Sequence, residues 1–196
     1  MLETGPALHH RHYGTRMPPR AAWPSPAPIE TERLVLEPLR ADHAREMVRV
    51  LQDPELYAIT GGEPPRLEEL RARYRRQATG RSPDGQAGWL NWVLHHRSEG
   101  VLIGTVQATL TSQHGRTSAA IAWTVGVGHQ RRGYATEAST GMAQWLARHG
   151  VVSLVAHIHP RHDASIGVAR RLGLVATGVV VNGETRWASP HPAPVR

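Results

Sequence analysis

The sequence contains no cysteine, no lysine and no phenylalanine, and only 5% of its residues are aromatic. Without cysteine there is no disulfide framework, no thiolate metal ligand and no cysteine nucleophile. All 23 basic residues are therefore arginine, which we read, with the abundant alanine, glycine and proline, as a high-GC coding bias. No apolar run reaches the length of a membrane span. The N-terminus lacks the basic-then-apolar pattern of a secretion signal, so a cytoplasmic protein is expected. The formal net charge of +7 is not gathered into blocks of like charge, and aromatics do not interleave with the arginines as on a base-stacking surface. Charge alone raises a nucleic-acid or ribosome-associated role. Its distribution fits a polyphosphate ligand or an acidic partner better, so no nucleic acid and no membrane are expected as partners.

What is present is enough for one domain: 196 residues can enclose a full core. Residues 1–28 read as a disordered leader, because Pro18, Pro19, Pro24, Pro26 and Pro28 interrupt regular structure and no apolar period appears. His9, His10 and His12 in that leader read as a solvated tail rather than a metal site, and Met17 is a possible alternative start. The domain is expected over 29–189, with 190–196 as a tail. Its first strand begins at Ile29 and includes Leu34 and Leu36. Asp42 is the expected N-cap of a helix reaching Leu51, stopped by Pro54. Leu67 to Gln77 is a charged second helix. Strands follow over 89–96, 101–110 and 118–125, then a helix ending at His149 and Gly150. A strand over 151–159, a helix carrying Ser165, Ile166, Ala169 and Leu172, and a hairpin turning at Asn182-Gly183 complete the chain. This mixed order argues an α+β protein with a central, mixed but mostly antiparallel sheet flanked by helices, one parallel pair embracing the third helix.

The segment with the most chemistry is Gln130-Arg131-Arg132-Gly133-Tyr134-Ala135-Thr136-Glu137-Ala138. It follows the apolar run Ile121 to Val125 and opens a helical period at Ala138, Met142, Trp145 and Leu146. A glycine-bearing turn from strand to helix presents unpaired N–H groups and a positive dipole end, which favour a phosphate. Arg131 and Arg132 add charge beside it.

Gln-x-x-Gly-x-Ala resembles the acyl-CoA pyrophosphate signature of the GNAT N-acetyltransferases, and the longer string resembles their RimJ/RimL-like branch. The likeness extends in order from about Ile29 to Trp187. It implies the GNAT fold and an acetyl-CoA-dependent N-acetyltransferase. The acceptor would be a primary amine, on a small molecule or a protein N-terminus, attacking directly in a ternary complex. It implies no metal. Dimers are frequent in the family, so a homodimer is one expectation.

By the same resemblance, Gln130, Arg131, Arg132, Gly133, Tyr134, Ala135 and Thr136 wrap the pyrophosphate. Trp123, Thr124 and Val125 run beside the pantetheine arm. A bulge there would aim the Val125 N–H at the thioester oxygen, with Thr124 the adjacent alternative. His159 to Ser165 resembles the family's Asn-x-x-Ser, with His162 in place of the asparagine and still able to bond the cofactor arm. Ala169 stands where many relatives place a general-acid tyrosine. Ser165 is the substitute donor, with solvent or direct thiolate release the alternative. His159, on the same strand face as His157, is the candidate base. Glu137 reads as a partner of local backbone donors rather than a base. Asn91 with Trp92, and Glu184 with Trp187, are candidates for the acceptor side, as is the loop with Tyr57, Thr60, Gly61 and Gly62. The missing tyrosine leaves a second expectation: a GNAT fold that binds acyl-CoA as a sensor or interaction module without catalysis.

Overall fold

The computed structural model describes residues 23–190. Most of the expected leader, with His9, His10, His12 and Met17, lies outside the described residues, as does 191–196. The part of the leader that is described, residues 23–28, is tied to the domain. Trp23 packs on the core, and the Ala27 carbonyl accepts the Trp92 Nε1–H at 2.9 Å. Contacts with the core thus begin ahead of Ile29.

Eight strands form one sheet in the order β1-β2-β3-β4-β5-β6-β8-β7. They are β1 Ile29–Glu30, β2 Leu34–Pro38, β3 Gly88–His96, β4 Leu102–Gln113, β5 Arg116–Val125, β6 Val151–Ile158, β7 Val175–Val181 and β8 Glu184–Ala188. Every neighbouring pair is antiparallel except β5 with β6. The helices are α1 Ala44–Val50, α2 Leu67–Gln77, α3 Tyr134–Arg148 and α4 Asp163–Arg171. The expected α+β sheet with one parallel pair is therefore what forms.

Alternation along the strands decides the two faces. Leu90, Trp92, Val106 and Ile121 pack with Ala138, Met142, Trp145 and Leu146 of α3. Val93 and Leu102 point the other way, onto Met47 and Val48 of α1 and Leu70 and Tyr74 of α2. Met142 and Leu146 are fully buried, each contributing about 1.5–3 kcal/mol of burial energy.

Two local expectations are corrected. The first strand breaks at Thr31–Arg33 into β1 and β2, because the Thr31 N–H donates to the Leu34 carbonyl at 2.9 Å and the Leu34 N–H donates to the Thr31 hydroxyl oxygen at 3.2 Å. Asp42 is not an N-cap: the chain first makes a 3-10 turn over Ala41–His43 capped by Arg40, and Asp42 sits inside it, 3.4 Å from the Arg40 guanidinium. His43 Nδ1, not a carboxylate, takes the Arg40 N–H at 3.1 Å. The Asn182-Gly183 turn holds, with φ of 51° and 82° at the two residues, the signs a two-residue hairpin requires.

Candidate active site

The sheet opens where β5 and β6 part. Their parallel ladder runs only from Thr117 to Ala120, after which β6 pairs on its other edge with β8. Residues 121–125 thus keep one free edge. Direction along that edge follows from register. The Gly126 N–H donates to the Ile103 carbonyl at 2.8 Å, and Gly104 faces Val125. Alternation then sends the backbone groups of Thr124 toward β4 and those of Trp123 and Val125 toward the gap. Thr124, grouped with them from sequence, gives its backbone to β4. The β4–β5 register is unbroken through Val125, so the expected bulge is not what aims the Val125 N–H; the divergence of the strands does that.

Past β5, a single 3-10 turn over Val127–His129 leads to Gln130, whose side-chain amide donates back to the Val125 carbonyl at 3.0 Å. Gln130 therefore closes the turn. Arg131 and Gly133 both take left-handed backbone, φ 58° and 86°, and Gly133 is the N-cap of α3. This double reversal aims successive N–H groups outward. The first N–H groups of a helix have no acceptor inside it, and no hydrogen bond of the described residues uses those of Arg131 to Thr136. Arg131 and Arg132 are exposed beside them. The loop is a cradle of unbonded N–H groups open to solvent, able to take an anion.

The cradle is braced by residues that sequence did not reveal. Glu137, one turn into α3, accepts the Thr31 hydroxyl at 2.6 Å, the Arg33 N–H at 2.7 Å and the Arg33 Nε–H at 2.7 Å. Its expected local donors are replaced by donors from the β1–β2 corner, over a hundred residues back in the chain. Burial pushes its pKa up, but the Thr31 hydroxyl and both Arg33 donors outweigh burial and hold the carboxyl below its ordinary value. Arg33 also donates to the Arg132 carbonyl at 2.9 Å and lies 4.5 Å over the Tyr134 ring. Tyr134 is not a free loop residue: it is buried, its hydroxyl 2.8 Å from His96 Nε2. His96 Nδ1 accepts the Glu99 N–H at 3.2 Å, so its neutral ring carries the proton on Nε2 and donates to Tyr134. Glu99 in turn meets His129 Nε2 at 3.0 Å, a bond that lowers the Glu99 pKa.

On the far side of the gap, α4 begins at Asp163 with His162 as N-cap, its Nδ1 accepting the Ser165 N–H at 3.3 Å. His162 thus caps α4 through Nδ1, and its Nε2–H remains available. Ser165 is half-buried in the first turn of α4. His159 follows the end of β6, and its Nδ1 accepts the Arg161 N–H at 3.2 Å. Ala169 is fully buried. Trp92 is core, not acceptor wall: it is fully buried, with its ring edge-on to Trp145 at 5.5 Å. Trp187 is also buried, its indole N–H without a partner among the described residues. Asn91 is buried on the α1/α2 face of the sheet, opposite Gln107. Glu184 is half-buried at the hairpin. Tyr57 donates to the Leu51 carbonyl at 2.9 Å and packs near Gly62, so this loop is a built wall rather than a free tether. A hollow of about 400 Å³ between β1 and α3, lined by Ile29, Thr31, Glu137 and Gly141, is separate from the gap.

The acetyltransferase (GNAT) domain family matches residues 33–175 of the chain. Among solved structures, a ribosomal-protein-S5-alanine acetyltransferase from Vibrio fischeri aligns with TM-score 0.66 at 17% identity, covering 83% of this chain and 96% of that one. RimL, a ribosomal L7/L12 alpha-N-protein acetyltransferase solved with coenzyme A, aligns with TM-score 0.66 at 16% identity, covering 83% and 97%. The microcin C7 self-immunity acetyltransferase MccE, solved with acetyl-CoA and AMP, aligns with TM-score 0.65 at 16% identity, covering 81% and 92%. At these identities the likeness establishes the fold. No curated protein matches the sequence.

Proposed function

We propose, from the premise that this chain belongs to the GNAT acetyltransferase family, that it transfers the acetyl group of acetyl-CoA to a primary amine. The acceptor is an amine of a small molecule or a protein N-terminus, as in RimJ/RimL-like enzymes, and attack is direct within a ternary complex. The observation that carries this is the pairing of an anion cradle with a free strand edge. The unbonded N–H groups of Arg131 to Thr136 fit a pyrophosphate, and the outward backbone groups of Trp123, with the Val125 N–H, fit an extended amide arm. The relatives solved with CoA and acetyl-CoA support the same assignment.

Acetyl-CoA supplies a thioester: the amine nitrogen bonds its carbonyl carbon, the carbon–sulfur bond breaks, and the ammonium proton must leave. The Val125 N–H serves the carbonyl oxygen, where charge develops. Arg131 and Arg132 offset the phosphate charge. His162 Nε2–H bonds the cofactor arm. Ser165 gives a proton to the departing sulfur, and His159 receives the one from the amine, giving up its 3.2 Å bond from the Arg161 N–H to do so.

Thiol release over a panel of amines tests the proposal, with no background from the cysteine-free protein. Turnover of at least one amine, abolished by Gly133→Asp, is expected; unchanged turnover in that variant refutes it. Ala169 in the tyrosine position and the engaged His159 Nδ1 favour one other reading, a non-catalytic acyl-CoA sensor. Saturable acetyl-CoA binding with no turnover of any amine would select it.

A further inference from the structure

Helix α2 carries Arg71, Arg73, Arg75 and Arg76, and Arg66 is its N-cap. Among the described residues, the arginines within 4.0 Å of a carboxylate are Arg33, Arg40, Arg97 and Arg132. No α2 arginine is among them. Glu69 is the obvious neutraliser of Arg73, one turn ahead of it in the favourable order. It is turned away, its Oε2 accepting the Arg66 N–H at 3.0 Å.

Helical spacing collects Arg66, Glu69, Arg73 and Arg76 on one side of α2. With Glu63 and Pro65 of the preceding loop they line a hollow of about 550 Å³. Arg71 and Arg75 fall on a different side. The C-terminal end of α2 is fastened over the sheet, Gln77 Nε2 meeting Gln107 Oε1 at 3.5 Å. Gln107 registers with Ala122 on β5, and both are exposed. Ala122 lies on the strand that borders the gap. Ile121 and Val125 of that strand pack into the α3 core, whereas Ala122 is exposed on the α1/α2 face, the side to which the end of α2 holding Arg73 and Arg76 belongs.

We infer that the acceptor carries an anionic group, carboxylate or phosphate, which Arg73 and Arg76 bind while its amine reaches the gap. The inference rests on the acetyl-transfer reading and deepens it to a substrate class. Unpaired guanidinium groups in a concave hollow offer charge-assisted, bidentate bonds to such anions.

Matched acceptors provide the test: Ser-Glu-Glu amide against Ser-Gln-Gln amide, and 3-aminopropyl phosphate against 3-aminopropanol. Each is followed by thiol release and by calorimetric binding to the CoA-loaded protein, in wild type, Arg73→Ala/Arg76→Ala and Arg71→Ala/Arg75→Ala. The second double variant removes the same charge from the other side of the helix. The anionic member of at least one pair should be favoured by roughly 10- to 100-fold in kcat/KM or affinity. Arg73→Ala/Arg76→Ala should abolish that preference, mainly through KM, with acetyl-CoA affinity unchanged; Arg71→Ala/Arg75→Ala should keep it. Preference in the peptide pair alone identifies an acidic peptide, and in the phosphate pair alone a phosphorylated amine. Equal use of both members of each pair, or equal loss in the two double variants, overturns the inference and leaves acetyl transfer standing. Failure of acetyl-CoA to bind wild type removes both together.

Discussion

Replacing Glu137 with glutamine should loosen the cradle helix from the β1–β2 corner at constant side-chain size. The glutamine oxygen can still accept the Thr31 hydroxyl and the Arg33 N–H. Its amide cannot accept from Arg33 Nε, so one charge-assisted bond of 2.7 Å is lost and two donors face each other. A hydrogen bond to a charged group contributes about 1.5–3 kcal/mol. The Glu137 side chain is only 14% exposed but that of Arg33 is 41% exposed, and solvent screening reduces the loss to about 1–2 kcal/mol. In a domain of this size that lowers Tm by roughly 2–8 °C. The sign with pH is set by the lowered carboxyl pKa. A depressed carboxyl stabilises the fold fully above its unfolded pKa, and that stabilisation disappears as pH falls through the folded value. Wild type and Glu137→Gln should therefore differ near neutral pH and converge in acid, once pH has fallen through the lowered carboxyl pKa. Because Arg33 also holds the Arg132 carbonyl, acetyl-CoA affinity should fall several-fold at neutral pH. Thermal unfolding across pH, with titrations of acetyl-CoA, reads both. Equal stability at neutral pH, or a difference that persists unchanged in acid, refutes the reasoning.

Other substitutions probe the remaining parts. Gly104→Ala would set a Cβ against the Thr124 carbonyl oxygen, far inside van der Waals contact, forcing β4 from β5; urea unfolding should show a loss of about 3 kcal/mol or more, and a loss under about 1 kcal/mol would contradict the close packing. Tyr134→Phe leaves the buried His96 Nε2–H without an acceptor, and chemical denaturation should report a loss of about 1–3 kcal/mol. Ser165→Ala should lower kcat by roughly 10²-fold with little change in the KM for acetyl-CoA. His159→Gln should lower kcat by roughly 10²-fold with acetyl-CoA affinity unchanged; an unchanged kcat would transfer the base role to another group or to solvent.

Much of this architecture was legible in the sequence because it rests on local signals. The α3 period at Ala138, Met142, Trp145 and Leu146 declared its buried face. Asn182-Gly183 declared its hairpin, and the strand-Gly-helix order declared the turn that opens α3. Elements whose partners are distant were not legible. Nothing near Glu137 or Arg33 announces a pair separated by more than a hundred residues, and the break of the first strand depends on a Thr31–Leu34 contact that competes with the ladder. Asp42 misled because a good capping residue lay one step inside a 3-10 turn. Thr124 was grouped with Trp123 and Val125 because sequence does not reveal which edge of β5 its neighbour covers; the register does. Trp92 misled because both faces of β3 are buried, Trp92 against α3 and Val93 against α1 and α2, so the strand lacks the alternation that would separate core from wall.

The central claim is that the Arg131 to Thr136 backbone holds the phosphates of acetyl-CoA. Calorimetric titration of acetyl-CoA, with free CoA and ATP as comparators, into wild type and Gly133→Asp tests it most directly. At φ 86°, the aspartate is strained by about 1–2 kcal/mol and adds negative charge to the cradle. Saturable binding of acetyl-CoA by wild type, absent in a folded Gly133→Asp protein, is the predicted result. No binding by folded wild type, or equal affinity in the variant, would contradict it.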